Sequence, residues 1–565
     1  MEIERYTVTS ALLYANGPIH IGHIAGAYLP ADIFVRYHRL KGNDVVHICG
    51  SDEHGAAITL QAKKEGIDPK EIVDKYHNIN KKTFKEFGID FDIYHRTSSP
   101  LHHETSQDFF IKLHEQGTLN KQKSEQFFDE RHSQFLADRY ITGKCPKCEF
   151  EEAYGDQCEK CGSSLDPKEL INPVSKLSGE TPILKETSHW YLKMQDHEKW
   201  ITQWINSGVL NKTKHHNPKN WRKQVLGQCK SWIKAGLKER AMTRDLEWGV
   251  KVPIDGGKGK VLYVWLDAPI GYISATKYWA EKYNKKSEDY WLNNNSKLVH
   301  FIGKDNIVFH CIIFPIILKS MKSFNLPINV PANEFLNLEG QKLSTSKNWA
   351  IWVNEYLKDF KGQQDSLRYT LCSTAPETKD TDFRWSDFQS RNNNELVAIF
   401  GNFFNRVVVL INKYWDGTVP KLYKTSIKDE KVLKSLKEAP AKIGKSIESY
   451  KFKEALQEVL NLCREGNKYL ADNEPWKLKN IDEERTSSIL YISIQICASL
   501  SILCEPFLPF TAIKMKKVLN LKDLHWDQAI EHNIKEGSKI NKPELLFVKI
   551  EDDQILDQIQ KLKKN

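Results

Sequence analysis

Four short apolar runs, Tyr6–Leu12, Asp44–Cys49, Leu262–Leu266 and Leu298–Ile302, each close on small or polar residues. Stretches with a helical repeat of apolar positions lie between them, among them Leu29–Lys41 and Asp68–Phe87. Strands alternating with helices predict an α/β fold built on a doubly wound, Rossmann-like parallel sheet. Such sheets bind ligands beyond the carboxyl ends of their strands. Between about 115 and 232 the alternation stops, so the sheet is split by an insertion. After about 386 the pattern is helical throughout, as in an all-α bundle. The helix expected over Asp387–Tyr414 carries an apolar face of Leu396, Phe400, Phe403, Val407, Ile411 and Tyr414. Expected boundaries are 1–114 and 233–325 for the two halves of the sheet domain, with the insertion over 115–232. A linking segment covers 326–385, the bundle 386–540, and a charged helix or tail 541–565.

Composition narrows the class. At 565 residues the chain exceeds one core and calls for several domains. Its N-terminus is charged and runs straight into a strand, so no signal peptide is expected. No apolar run reaches membrane-spanning length; Ile312–Leu318 reads as a short buried segment, and no membrane association is expected. The cysteines number eleven, with Cys49, Cys311 and Cys497 scattered among apolar residues. That usage fits a reducing cytoplasm. A net charge of +9 permits a polyanionic partner without requiring one.

Three patterns carry chemistry. Cys145, Cys148, Cys158 and Cys161 form two Cys-x2-Cys pairs across a short loop, suited to one tetrahedral structural Zn²⁺ with no open position. In Tyr14–His23, a Gly-Pro turn leads to His20 and His23 on the first turn of a helix. Free N–H groups there favour anions, the spacing puts both imidazoles on one face, and Gly22 leaves room for a flat base. Lys342-Leu-Ser344-Thr345-Ser346-Lys347, after Gly340, reads as a loop able to close over phosphates. The histidine pair and the loop suit a single task, holding the triphosphate of ATP.

These two motifs, in this order, resemble the class I aminoacyl-tRNA synthetases and among them the methionyl family, over nearly the whole chain. The family's loop is usually Lys-Met-Ser-Lys-Ser; here Thr345 stands at the second lysine and Lys347 follows two residues later. The resemblance implies activation of L-methionine by ATP, with Mg²⁺, and transfer to the terminal ribose of tRNA(Met) by a cytoplasmic monomer. It assigns His20, His23, Lys342 and Lys347 to catalysis, and Gly22, Gly303, Asp305, Ser344 and Ser346 to ATP. Methionine falls to Leu12, Tyr14, Asp52, Trp265, Ala268, Pro269, Tyr272 and His310. In this assignment Asp52 takes the α-amino group, and the aromatic wall suits a polarizable thioether. Asn402, Arg406, Pro475 and Trp476 fall at anticodon-reading positions. Taken alone, Asp52 reads equally as a helix cap, and Asp305 as a βα-turn residue. A zinc-containing RNA-binding module without catalysis is the rival reading. The insertion is too short for the large editing domain of the isoleucine, valine and leucine enzymes.

Overall fold

A computed structural model describes residues 3–136, 140–155, 158, 160–161, 163, 165–345, 348–522, 524–530 and 533–564. Its centre is a seven-stranded sheet, parallel throughout. Pro327–Asn329, Ser296–Gly303, Arg5–Ser10 and Asp44–Asp52 lie side by side. Leu13–Tyr14 and Ile93–Arg96 pair with the last of these, and Ala332–Asn333 with Ser296–Gly303. Both faces are covered, as parallel sheets require. Tyr6, Val8, Val299 and Phe301 face one apolar core, and Leu298 and Ile302 face another. Thr7 and Thr9 point into the second layer although polar. Thr7 donates to the Tyr290 carbonyl at 2.8 Å, and Thr9 meets His300 Nδ1 at 2.6 Å.

The expected strand Leu262–Leu266 is corrected. The strand is only Val261–Leu262, antiparallel to Thr243–Arg244, and a helix runs from Val264 to Lys282. Its residues 266–276 are buried on every side, so packing overrides the strand preference of a Val/Tyr/Trp-rich stretch. Trp265, Ala268, Pro269 and Tyr272 therefore sit on the first turns of a helix.

The insertion is antiparallel. Leu119–Asp129 and Ile183–Leu192 form its long ribbon, flanked by Gln134–Phe135 and Arg240–Ala241. A second small sheet, Ile141–Lys144 with Ala153–Tyr154 and Ile171–Ser175, carries the cysteines at its end. Helices dominate beyond Trp385: Ile427–Glu448, Phe452–Asn473, Glu483–Leu503 and Pro509–Leu519 pack together. The end is helical too, Asp552–Lys564.

The expectation that no stretch reaches membrane-spanning length is also corrected. Trp385–Trp415 and Glu483–Leu503 are each long and apolar enough. The second is almost wholly enclosed by the bundle, from Thr486 to Leu503, and is its core helix.

Among the described residues, three segments are wound as π-helix: Ile24–Tyr28, Phe309–Ile313 and Asn392–Gly401. Each adjoins or contains a candidate site residue: His23, His310 and Asn402.

One buried ion pair joins the parts. Asp32, on the helix Leu29–Leu40, accepts from Arg36 at 2.9 Å, from the Asp90 amide at 3.0 Å and from Arg368 at 2.6 Å. Arg368, fully buried in the helix Gln364–Ser373, also donates to the carbonyls of Gly88, Pro506 and Phe507. Burial would raise Asp32, but the two guanidiniums hold it down at about 2. Its contribution to stability is therefore present above the unfolded carboxylate value and is lost as pH falls through about 2. Arg368→Met leaves Asp32 half-compensated and three carbonyls without their donor. The expected cost is about 3–5 kcal/mol, read as a lowered urea midpoint at neutral pH; an unchanged midpoint contradicts it.

Candidate active site and RNA-contacting face

The histidine pair is fixed by its own backbone. His20 is extended and caps the helix beginning at Ile21. Its Nδ1 accepts from the Gly22 amide at 3.1 Å, while His23 Nδ1 accepts from the His20 amide at 3.3 Å. The rings stack with centroids 3.7 Å apart. Burial lowers both imidazoles, His23 to about 4, and His20 is lowered further by its neighbour. Both are neutral at pH 7. With Nδ1 accepting, the ring proton of each sits on Nε2. The pair thus presents two N–H donors and no charge.

The lysine loop lies over this helix start. Ile21 N donates to Ile351 O at 3.1 Å, Val353 N to Ile19 O at 3.0 Å, and Trp352 packs edge-on against His20. Lys342 closes a short hairpin between Leu336–Leu338 and Gln341–Lys342, turned by Glu339 and Gly340, both at positive φ. Its exposed ammonium lies 5.6 Å from the Phe335 ring. Ser344 and Trp349 exchange backbone hydrogen bonds, which brings the ends of the loop together. Ser346 and Lys347 lie outside the described residues. At Gly303, a Cβ would stand 2.6 Å from Asp305 Oδ1, so glycine lets that carboxylate fold back over its strand end.

The expected methionine residues converge at the strand ends. Asp52 ends Asp44–Asp52 and is only 8% exposed. Burial pushes its carboxyl up to about 7, and the like charge of Asp267 adds to this. Tyr14 pairs with Asp52 in the sheet, and Leu12 Cδ1 comes within 2.8 Å of where a Gly271 Cβ would be. Tyr272 OH lies 2.9 Å from His310 Nε2, and His310 Nδ1 lies 3.1 Å from Asn306 O. Burial lowers His310 to about 4, so it is neutral; it donates from Nδ1 and accepts the tyrosine proton at Nε2. Trp265 stands 6.0 Å from Phe309, with the Arg240 guanidinium 4.1 Å from its ring.

Sequence reasoning missed the second layer. His300, with no hydrogen-bond partner for its buried Nε2 among the described residues, packs 5.3 Å from His310 and 5.7 Å from Tyr272. Asp267 is held between His54 and His102. His102 lies far from either in sequence, and no local pattern announces the contact.

In the bundle, Arg406 lies 4.9 Å over the Trp476 ring, and Asn402 stands one turn before Arg406. Pro475 is buried at the start of the short helix Pro475–Leu478, and Trp476 is 37% exposed. An exposed indole with a guanidinium on its face is a platform for an unpaired base.

The four cysteines also converge. Cys145 and Cys161 sulfurs are 3.9 Å apart, Cys148 and Cys158 sulfurs 3.5 Å, and all four lie within 4.8 Å of one another. Zn–S bonds of about 2.3 Å in a tetrahedron place sulfurs about 3.8 Å apart. The cluster fits such an ion.

A nucleotide-type parallel sheet, a helix start beneath a lysine loop and a separate helical RNA-type platform define a class I aminoacyl-tRNA synthetase. The profile of the family described as tRNA synthetases class I (M) matches residues 6–408, and that of the anticodon binding domain of methionyl tRNA ligase matches 419–564. The chain belongs to the methionine–tRNA ligase family. It is 58% identical to the methionine–tRNA ligase of Christiangramia forsetii, over 99% of this chain and 81% of the relative. That of Cytophaga hutchinsonii gives the same identity and the same shares, and that of Bacteroides fragilis is 57% identical. A Mycobacterium tuberculosis methionyl-tRNA synthetase in complex with methionyl-adenylate superposes with a TM-score of 0.79 at 21% identity, covering 96% of this chain and all of that one. The activity is that of the family: methionine is activated with ATP and joined to its tRNA.

Gly22 offers a test of the contact between helix start and loop. A Cβ there would lie 2.6 Å from Leu343 Cδ1 and 3.0 Å from the His20 ring. Gly22→Ala displaces one or the other. Adenylate formation should fall by about 10²-fold, as for a misplacement of about 1 Å, with zinc content and melting unchanged. A wild-type single-turnover rate contradicts the contact.

Proposed function

We propose that the residues gathered at the strand ends carry out methionyl-adenylate formation, and that the Arg406–Trp476 platform reads the anticodon of tRNA(Met). The carrying observation is the stacked, neutral His20–His23 pair beneath the lysine loop. The substrate carboxylate attacks the α-phosphorus in line, and pyrophosphate leaves. No side-chain nucleophile takes part, so catalysis is orientation and stabilisation of charge on phosphate oxygens. His20 and His23 donate Nε2–H to those oxygens. Lys342 and Lys347 close over them with Ser344 and Ser346, Gly22 admits the adenine, and Asp305, following Gly303, accepts from the ribose hydroxyls. Mg²⁺ accompanies the nucleotide and adds positive charge. Asp52 receives the ammonium. Leu12, Tyr14, Trp265, Ala268, Pro269, Tyr272 and His310 surround the thioether.

Residues 1–114 and 233–325 form the catalytic halves in this reading, 115–232 the insertion and 326–385 the lysine-loop link. The bundle over 386–540 is the anticodon-binding part, with 541–565 as its tail. Zn²⁺ on Cys145, Cys148, Cys158 and Cys161 is structural, because four thiolates leave no position for water. Buried thiols at Cys49, Cys311 and Cys497 support a reducing, cytoplasmic setting, and the protein acts as a monomer.

Two measurements test this. Trp476→Ala should retain methionine-dependent ATP–pyrophosphate exchange while aminoacylation of tRNA(Met) loses roughly 1–3 kcal/mol, the worth of one stacked base. Equal damage to both reactions would make Trp476 a packing residue. Metal analysis should find one Zn²⁺ per chain, absent in Cys158→Ala. Undiminished zinc in that variant would overturn the assignment.

A further inference from the structure

Behind Asp52 lies a closed chain of polar groups. Asp267 occupies the first turn of the helix Val264–Lys282, between Trp265 and Ala268. One oxygen meets His54 Nδ1 at 2.6 Å; the other meets His102 Nε2 at 2.5 Å. His102, on the helix Pro100–Glu115, continues through Nδ1 to Ser274 Oγ at 2.9 Å. Asp267 and His102 are fully enclosed and His54 is 3% exposed. Burial alone would raise Asp267 and lower His54. Their mutual attraction prevails, with His102 assisting: Asp267 lies well below the usual carboxylate range and His54 above the usual imidazole value. Asp52, Glu53 and His103 are the other titratable groups facing His54.

Two imidazoles and a carboxylate suggest a metal, but the spacing excludes it. Nitrogen and oxygen ligands at about 2.0–2.1 Å on a tetrahedral ion stand about 3.3 Å apart. These atoms are already at hydrogen-bond distance from each other.

The placement points elsewhere. His54 follows Asp52 by two residues, and its amide faces Asp52 Oδ1 at 3.5 Å. Asp267 adjoins Trp265, Ala268 and Pro269. The single His54–Asp267 bond therefore ties the ammonium-holding carboxylate to the wall that takes the side chain. We propose that Asp267, clamped by His54 and His102, is a positioning residue that fixes the separation between these two subsites and so selects amino acids by side-chain length. This rests on the reading of Asp52 and of the aromatic wall given above. Methionine must satisfy both subsites at once. A rigid separation rejects a chain one methylene too long, where a wall free to shift would accept it.

Asp267→Asn keeps the volume but offers one acceptor oxygen in place of two, so one imidazole loses its partner. In ATP–pyrophosphate exchange, KM for methionine should rise roughly 10- to 100-fold, the cost of leaving a buried donor unpaired. KM for ATP should stay within about twofold, as for a distant site. Preference for methionine over ethionine, one methylene longer, should narrow. Methionine KM and preference both unchanged would overturn the proposal, and so would equal rises in both KM values, which mark a purely structural residue. Should Asp267→Asn not fold, His102→Gln, which keeps an amide donor beside Asp267, is decided by the same constants. Asp52→Asn separates the two readings. If its methionine KM is unchanged, the ammonium assignment fails; if it rises while that of Asp267→Asn does not, only the positioning role fails.

Discussion

Arg368 cannot be buried without Asp32, and much of the assembly follows from that. A guanidinium with no access to water needs its charge answered and its donors filled. The answering carboxylate lies on the helix that begins just beyond the histidine pair, and the carbonyls come from Gly88 and from Pro506–Phe507 at the end of the bundle's core helix. One side chain thus fixes three segments distant in sequence. Nearby, Tyr37 donates to Glu448 at 2.6 Å and packs on Trp526, seating the bundle against the same helix. The spacing between the catalytic cleft and the Arg406–Trp476 platform is inherited from this junction.

The cleft itself works with little fixed charge. Both helix-start histidines are neutral, Asp52 is poised near neutrality, and the lysines sit on a hairpin rather than on the sheet. A site with permanent cations would bind pyrophosphate tightly and release it slowly. Neutral donors on a rigid helix start, with lysines on a separate turn, put much of the stabilisation where charge develops.

The sheet, the insertion and the bundle were legible because each has its own period. The cysteine ligands and the histidine pair were legible because their spacing is local. Two things were not. Leu262–Leu266 has strand composition, but its burial on all sides comes from elements hundreds of positions away, and that decided for helix. The clamp on Asp267 joins residues 54, 102 and 267, which the sheet's crossovers bring together and no window of sequence contains. The Arg406–Trp476 contact was half visible: each residue was singled out, but their stacking depends on how two bundle helices meet.

The π-helical stretch Asn392–Gly401 makes chain length a functional quantity. It lies between the segment anchored on the linking region, Trp385–Arg391, and the helix bearing Asn402 and Arg406. Each π turn accommodates an additional residue compared with an α turn. Deleting one residue there would let the helix relax toward α winding, and everything beyond would rotate by about 100°. Arg406 would leave the indole and Val407 would leave the core together. The helix is geared: its register is counted in residues, and a single insertion or deletion re-aims the RNA-facing side chains without changing any of them.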